Sequence, residues 1–105
     1  MEQHEAAKTL AELGNETRLA IFRLLVKSGN AGAPVGHIQR ELSVPASTLS
    51  HHISRLVTVG LIVQERESRT LHCRPQFTRL REVTTFLLDE CCVGITNTAS
   101  ESDAA

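Results

Sequence analysis

Tryptophan and tyrosine are both missing from this chain of 105 residues, and its only phenyl rings belong to 3 phenylalanines. The core must therefore be assembled from Leu, Ile, Val and Ala, and a chain this short closes one modest core, so a single domain is expected. Burying a further apolar stripe against a second chain would add stability that so small a core lacks. No apolar run approaches the ~18 residues that cross a bilayer. The opening residues, MEQHEAAKTL, have neither a basic start nor an apolar signal core, and a cytoplasmic location is expected. Cysteine is scarce, with 3 residues, an odd number. Without an export signal that count does not suggest a disulfide framework and leaves free thiols or a ligand site. Cys-x-x-Cys and His-x-x-x-His spacings, a phosphate-binding loop and a paired nucleophile and base are also absent, so nothing points to an enzyme.

A net excess of positive charge is lacking as well, since the formal charge is -1. The charges are nevertheless segregated. Residues 17 to 81 hold 10 Lys or Arg against 3 acids, a local +7, whereas residues 1 to 16 give -3 and residues 82 to 105 give -5. Screening confines a charge's field to about 8 to 10 Å at physiological salt, so a phosphate responds to the basic middle rather than to the total.

What is present is helical periodicity with sharp interruptions. Residues 4 to 13 favour a helix with Ala7, Leu10 and Ala11 on one side, ended by Gly14. Asn15 can cap a second helix, Glu16 to Lys27, which is apolar on most faces as for a helix surrounded by others. The loop SGNAGAP leads to a third helix over Val35 to Leu42, with Val35, Ile38 and Leu42 on one stripe. Ser43 to Pro45 breaks the pattern, and a fourth helix runs to Val59, with Leu49, Ile53, Leu56 and Val57 inward and Gly60 closing it. Two short strands, Leu61 to Arg66 and Arg69 to Arg74, flank Glu67 and Ser68, and residues 77 to 92 form a last helix with Leu80, Val83, Leu87 and Cys91 near one stripe. The expected fold is mainly α with a two-stranded β wing, in the order α-α-α-α-β-β-α. Residues 1–92 form the domain, and 93–105 form a polar, disordered tail.

The outer face of the fourth helix carries Ser47, Thr48, Ser50, His51, His52, Ser54 and Arg55. A merely solvated face prefers Glu and Lys, neither of which occurs between residues 45 and 60. Short donors and acceptors crowded at a helix N-terminus suit the edges of bases in a major groove, and the first-turn amides suit a phosphate. Arg66 and Arg69 sit at the wing tip for backbone or minor-groove contact. The helix-turn-helix followed by an arginine-tipped hairpin is therefore expected to bind double-stranded DNA. Metal binding by His51 and His52 together is disfavoured, because adjacent helical residues point about 100° apart.

LGNETRLAIFRLL and SVPASTLSHHISRLVTVGLI resemble the opening signature and recognition helix of the ArsR family of metal- and metalloid-responsive repressors, over roughly residues 7 to 92. The resemblance implies a winged helix-turn-helix homodimer paired through its first and last helices, bound to operator DNA. It places Ser47, Thr48, Ser50, His51 and His52 at bases or nearby phosphates, Arg55 at the backbone and Arg66 and Arg69 in the wing contact. Ser68 stands where a glycine is common at the wing tip. The family's third-helix cysteines and its histidine-carboxylate zinc pattern on the last helix are absent here. Cys91-Cys92 resembles a subgroup that binds trivalent arsenic through a vicinal pair, although the further cysteine usual after it is missing.

Soft thiolates select soft ions, and As(III) or Sb(III) favours a three-coordinate site that two adjacent cysteines can begin. Cys73 is either a small core residue or the third donor, and water, hydroxide or an organic group could also take that place. The function expected is a repressor released from DNA by arsenite, methylarsenite or antimonite. Two alternatives stand beside it: a vicinal-thiol redox switch on the same DNA-binding scaffold, and a dithiol or adaptor protein that binds no DNA.

Overall fold

In the computed structural model, residues 1–95 are described. The expected polar tail thus lies outside the described residues from position 96 onward. Helix α1, Gln3–Leu13, starts on a capping box in which the Glu2 N–H donates to the Glu5 carboxylate at 3.1 Å. Its core side is Ala6 and Thr9, while Ala7, Leu10 and Ala11 remain exposed. Thr9 can occupy a core position because its hydroxyl donates to the Glu5 carbonyl at 2.8 Å, one turn back.

Helix α2, Glu16–Ser28, begins where the Asn15 side chain accepts the Arg18 N–H at 3.0 Å, as the sequence suggests. Ile21, Phe22 and Leu25 are buried at the centre of the core. The helix is not enclosed on all sides, however: Leu19 and Val26 stay at the surface and, with Leu13, Phe22 and Leu80, line a shallow apolar groove.

The glycine-rich loop does more than connect. A 3-10 turn at Gly29–Ala31 feeds a two-residue strand β1, Ala33–Pro34, too short to show any alternation in sequence. Gly32 precedes it at φ 69° and ψ -158°, a region open almost only to glycine, and a Cβ there would fall on the carbonyl oxygen of Cys73. Helix α3, Val35–Leu42, agrees with the expected span. Ser43, left-handed at φ 52°, then turns the chain through Val44 and Pro45 into α4, Ala46–Thr58. Leu49, Ile53 and Leu56 bury its inner face, and Gly60 closes it at φ 81°.

Strands β2, Ile62–Glu67, and β3, Thr70–Pro75, form the wing around a two-residue turn, Ser68-Arg69, each strand one position later than the apolar pattern indicates. Ser68 takes the left-handed conformation that glycine would favour, at φ 59°. The sheet has three strands in the order β1-β3-β2, not two, because Ala33 pairs with Cys73 and Pro34 with His72. Helix α5 covers Phe77–Leu88 only. Asp89 turns extended at ψ 133°, and Glu90 and Cys92 are left-handed, so the cysteine pair lies in a turn beyond the helix rather than on its stripe. Val83 is buried and Leu80 partly so, but Leu87 and Leu88 are 58% and 67% exposed. Among the described residues no helix is long and apolar enough to cross a membrane.

Candidate nucleic-acid interface and thiol pair

With Leu49, Ile53 and Leu56 turned inward, α4 shows Ser47, Thr48, Ser50, His51, Ser54 and Arg55 to solvent, while His52 is half-buried. Among the described residues no side chain caps the helix start at Pro45, which leaves its first-turn amides for an external acceptor. The structure thus gathers the hydroxyls, His51 and Arg55 on one open face and leaves His52 half-buried beside it.

Arg55 has a further partner that the sequence does not reveal. Its Nε and Nη2 each donate to a Glu12 carboxylate oxygen at 3.0 Å, tying the outer face of α4 to α1. Arg18 enters the same cluster from α2: its Nε donates to the Glu12 carbonyl at 2.8 Å and its Nη1 to His52 Nδ1 at 3.0 Å. The hydrogen bonds from Arg55 hold the Glu12 carboxyl below the ordinary carboxylate range, against the opposing effect of desolvation. Desolvation, then Arg18, His51 and Arg55, hold His52 below its ordinary value. Glu12 and Arg18 escape a sequence reading because they sit in segments whose periodicity speaks only of packing.

The sign for stability follows from His52. A histidine with a depressed folded-state value favours folding when neutral, so its contribution is intact above 6.5 and is lost as pH falls below that value. Chemical denaturation from pH 7.5 to 5.5 is expected to show stability falling in the wild type and falling less in His52→Gln; equal slopes would contradict the assignment.

At the wing, Arg66 and Arg69 are exposed and take part in no ion pair among the described residues. Glu65 and Glu67 lie on the sheet face opposite Arg66, where Arg74 binds both, Glu67 at 2.7 Å. Two of the three acids of the basic segment are thereby paired with Arg74 and not with the tip arginines.

Cys91 and Cys92 are both exposed, with their sulfurs 2.8 Å apart. The hydrogen bond to the Cys92 sulfur, with desolvation, raises the Cys91 thiol above its ordinary value. Cys73 does not join them. It is fully buried in the core, its thiol raised by desolvation, and its sulfur accepts from Gln64 Nε2 at 3.8 Å. The register that sets Cys73 opposite Ala33 and Gln64 turns it inward. Among the described residues, no three His, Cys, Asp or Glu side chains converge as a metal set.

A compact helical core, a turn between α3 and α4, and a β2-β3 hairpin define a winged helix-turn-helix. Comparison with known proteins agrees. Residues 13–65 match the helix-turn-helix domain family model. An uncharacterised HTH-type transcriptional regulator of Methanocaldococcus jannaschii is 37% identical over 68 residues, 64% of this chain and 74% of that one. An ArsR-like transcriptional regulator from Rhodococcus sp. RHA1 superposes with a TM-score of 0.70 at 25% identity, over 80% of this chain and 76% of that one. A homodimeric winged helix-turn-helix DNA-binding domain from Mycobacterium bovis shares the fold, with a TM-score of 0.67 at 23% identity over 83% of this chain and 81% of that one. The chain belongs to the helix-turn-helix domain family of transcriptional regulators, and its winged fold is similar to that of ArsR-like regulators.

Proposed function

We propose that this regulator is a homodimeric repressor whose α4 face and wing bind operator DNA and whose release is triggered by trivalent arsenic or antimony at Cys91 and Cys92. The observation that carries the ligand assignment is the solvent-open vicinal pair with sulfurs 2.8 Å apart. Two thiols condense with two As–OH bonds of arsenous acid, forming two As–S bonds and releasing two waters. The third position keeps hydroxide, or a methyl group in methylarsenite. Because the thiol proton leaves in water, the raised Cys91 value is no obstacle. Cys73 has no part in the proposed site, since reaching it would require opening the core.

The same features weigh against a redox switch. Adjacent Cα atoms are 3.8 Å apart across a trans peptide, below the usual 4.4 to 6.8 Å of a disulfide. A raised thiol is also a poor peroxide nucleophile.

The homodimer is supported by the exposed Leu10, Leu87 and Leu88 on α1 and α5 and by the homodimeric relative of the same fold. Ligand at the end of α5 would then change the relation of the two recognition helices, favouring a dimer geometry that does not match DNA. Leu87→Glu with Leu88→Glu is expected to give a folded monomer in sedimentation, because burial of each leucine contributes about 1.5 to 3 kcal/mol. A stable dimer in that variant would place the interface elsewhere.

The direct test is a DNA-release titration. A duplex enriched from a random library by the wild-type protein is labelled, and arsenite, methylarsenite, antimonite and cadmium are added while anisotropy is followed. Release by the trivalent metalloids supports the proposal. Retention of DNA with all of them, while peroxide releases it, would replace this assignment by the redox one.

A further inference from the structure

Resting on α4 as the recognition helix, we infer that His52 presents a fixed hydrogen-bond donor, its Nε2–H, to the major groove and so favours a keto base, guanine or thymine, on the strand it faces. A guanidinium only donates hydrogen bonds. Arg18 Nη1 lies 3.0 Å from His52 Nδ1, so Nδ1 must offer its lone pair and the single proton of the neutral ring resides on Nε2. Arg18 is itself anchored, by its Nε to the Glu12 carbonyl at 2.8 Å and to the Glu12 carboxylate at 3.2 Å. Glu12 is in turn gripped by Arg55, so the ring is braced from two helices outside α4.

Protonating Nδ1 would set N–H against N–H beside the Arg18 and Arg55 guanidiniums and the His51 ring, whose centroid is 5.8 Å away. The lowered value of His52 agrees with this geometry. The other nitrogen is free for a ligand. Nε2 has no hydrogen-bond partner among the described residues, and no buried side-chain nitrogen or oxygen is left unpaired there, so Nε2 reaches solvent. His51, one position earlier and exposed, has no such brace.

A donor without acceptor capacity discriminates at the middle of the major-groove edge. Guanine O6 and thymine O4 accept there, whereas cytosine N4 and adenine N6 donate. Adenine keeps an acceptor only at N7, toward the edge, and cytosine has none, so the sharpest discrimination is against cytosine. The sequence alone left His52 able to play either part. Its partner on α2 removes the choice.

The test has two parts. Long-range proton–nitrogen correlation spectra of the 15N-labelled full-length protein at pH 7 are expected to show the Nε2–H tautomer for His52; an Nδ1–H tautomer overturns the inference. Duplexes are then selected from a random library by wild type and by His52→Ala. The wild type is expected to favour guanine or thymine over cytosine and adenine by about fivefold or more at one position per half-site, the lower end of what a specific base contact supplies. The variant is expected to lose that preference alone. A variant profile identical to wild type also overturns the inference. A library from which the wild type itself enriches nothing overturns instead the underlying assignment of α4 to DNA.

Discussion

Replacing Cys91 and Cys92 together by serine is expected to leave duplex binding within about twofold of wild type and to raise the arsenite needed for release by about 100-fold or more, the upper range of coupling between two sites. Both residues lie outside every helix and strand and outside the core, so the substitution removes sulfur without disturbing packing. A hydroxyl is a hard ligand and does not replace a thiolate at a soft ion. Each single variant is expected to respond at intermediate concentration, since one As–S bond forms without the chelate. Cys73→Ala should leave the arsenite response unchanged and cost stability instead, because that thiol fills a core position. If the double variant is released at the wild-type concentration, the ligand assignment fails while the assignment to DNA stands. Anisotropy with the selected duplex, run on the wild type and the four variants, reads duplex binding and release.

The largest effect on the fold is expected from Gly32→Ala. Its φ of 69° is nearly exclusive to glycine, and the added methyl would meet the Cys73 carbonyl and the Arg74 side chain. Strain of about 1 to 3 kcal/mol and overpacking of a similar size combine to about 4 kcal/mol. For a domain of this size that corresponds to a fall in Tm of roughly 20 °C. Gly29→Ala provides the control, since its φ of 73° is equally unusual but nothing among the described residues lies within 4 Å of the new methyl. It carries the strain without the clash, and about half the loss is expected. Melting curves that coincide for the two variants would show that the close approach of the loop to β3 does not matter.

These two sites mark where the sequence was legible and where it was not. Helix α3 and the inner stripe of α4 follow from apolar spacing, and the Asn15 cap from its own chemistry. The short strand β1 does not: two residues carry no period, and only the pairing of Ala33 with Cys73 makes them a strand. The outward side of α1 misleads for a related reason, because Thr9 satisfies its hydroxyl within the helix and takes the core position that an apolar count assigns to Leu10. The stripe through Leu87 and Cys91 continues a helix that stops at Leu88, because the extended Asp89 and the left-handed Glu90 intervene.

The candidate site divides in the same way. The exposed face of α4 and the free arginines of the wing are matters of residue type and spacing, which a sequence displays. The Glu12, Arg18, His52 and Arg55 cluster joins three helices through contacts 34 and 43 positions apart, and no local pattern encodes it. It changes what the legible residues do, by tying Arg55 to a carboxylate and fixing the proton on His52.

The salt dependence of duplex binding tests the central claim most directly. The logarithm of the binding constant against that of salt concentration should be a straight line, with a slope of about -0.9 for each phosphate neutralised. Removing both wing arginines, Arg66→Ala with Arg69→Ala, is expected to weaken binding at every sequence and to reduce the steepness of that slope by about 2 per subunit. A slope unchanged by the double substitution, or a wild type that binds no duplex in a salt-dependent way, would contradict the account.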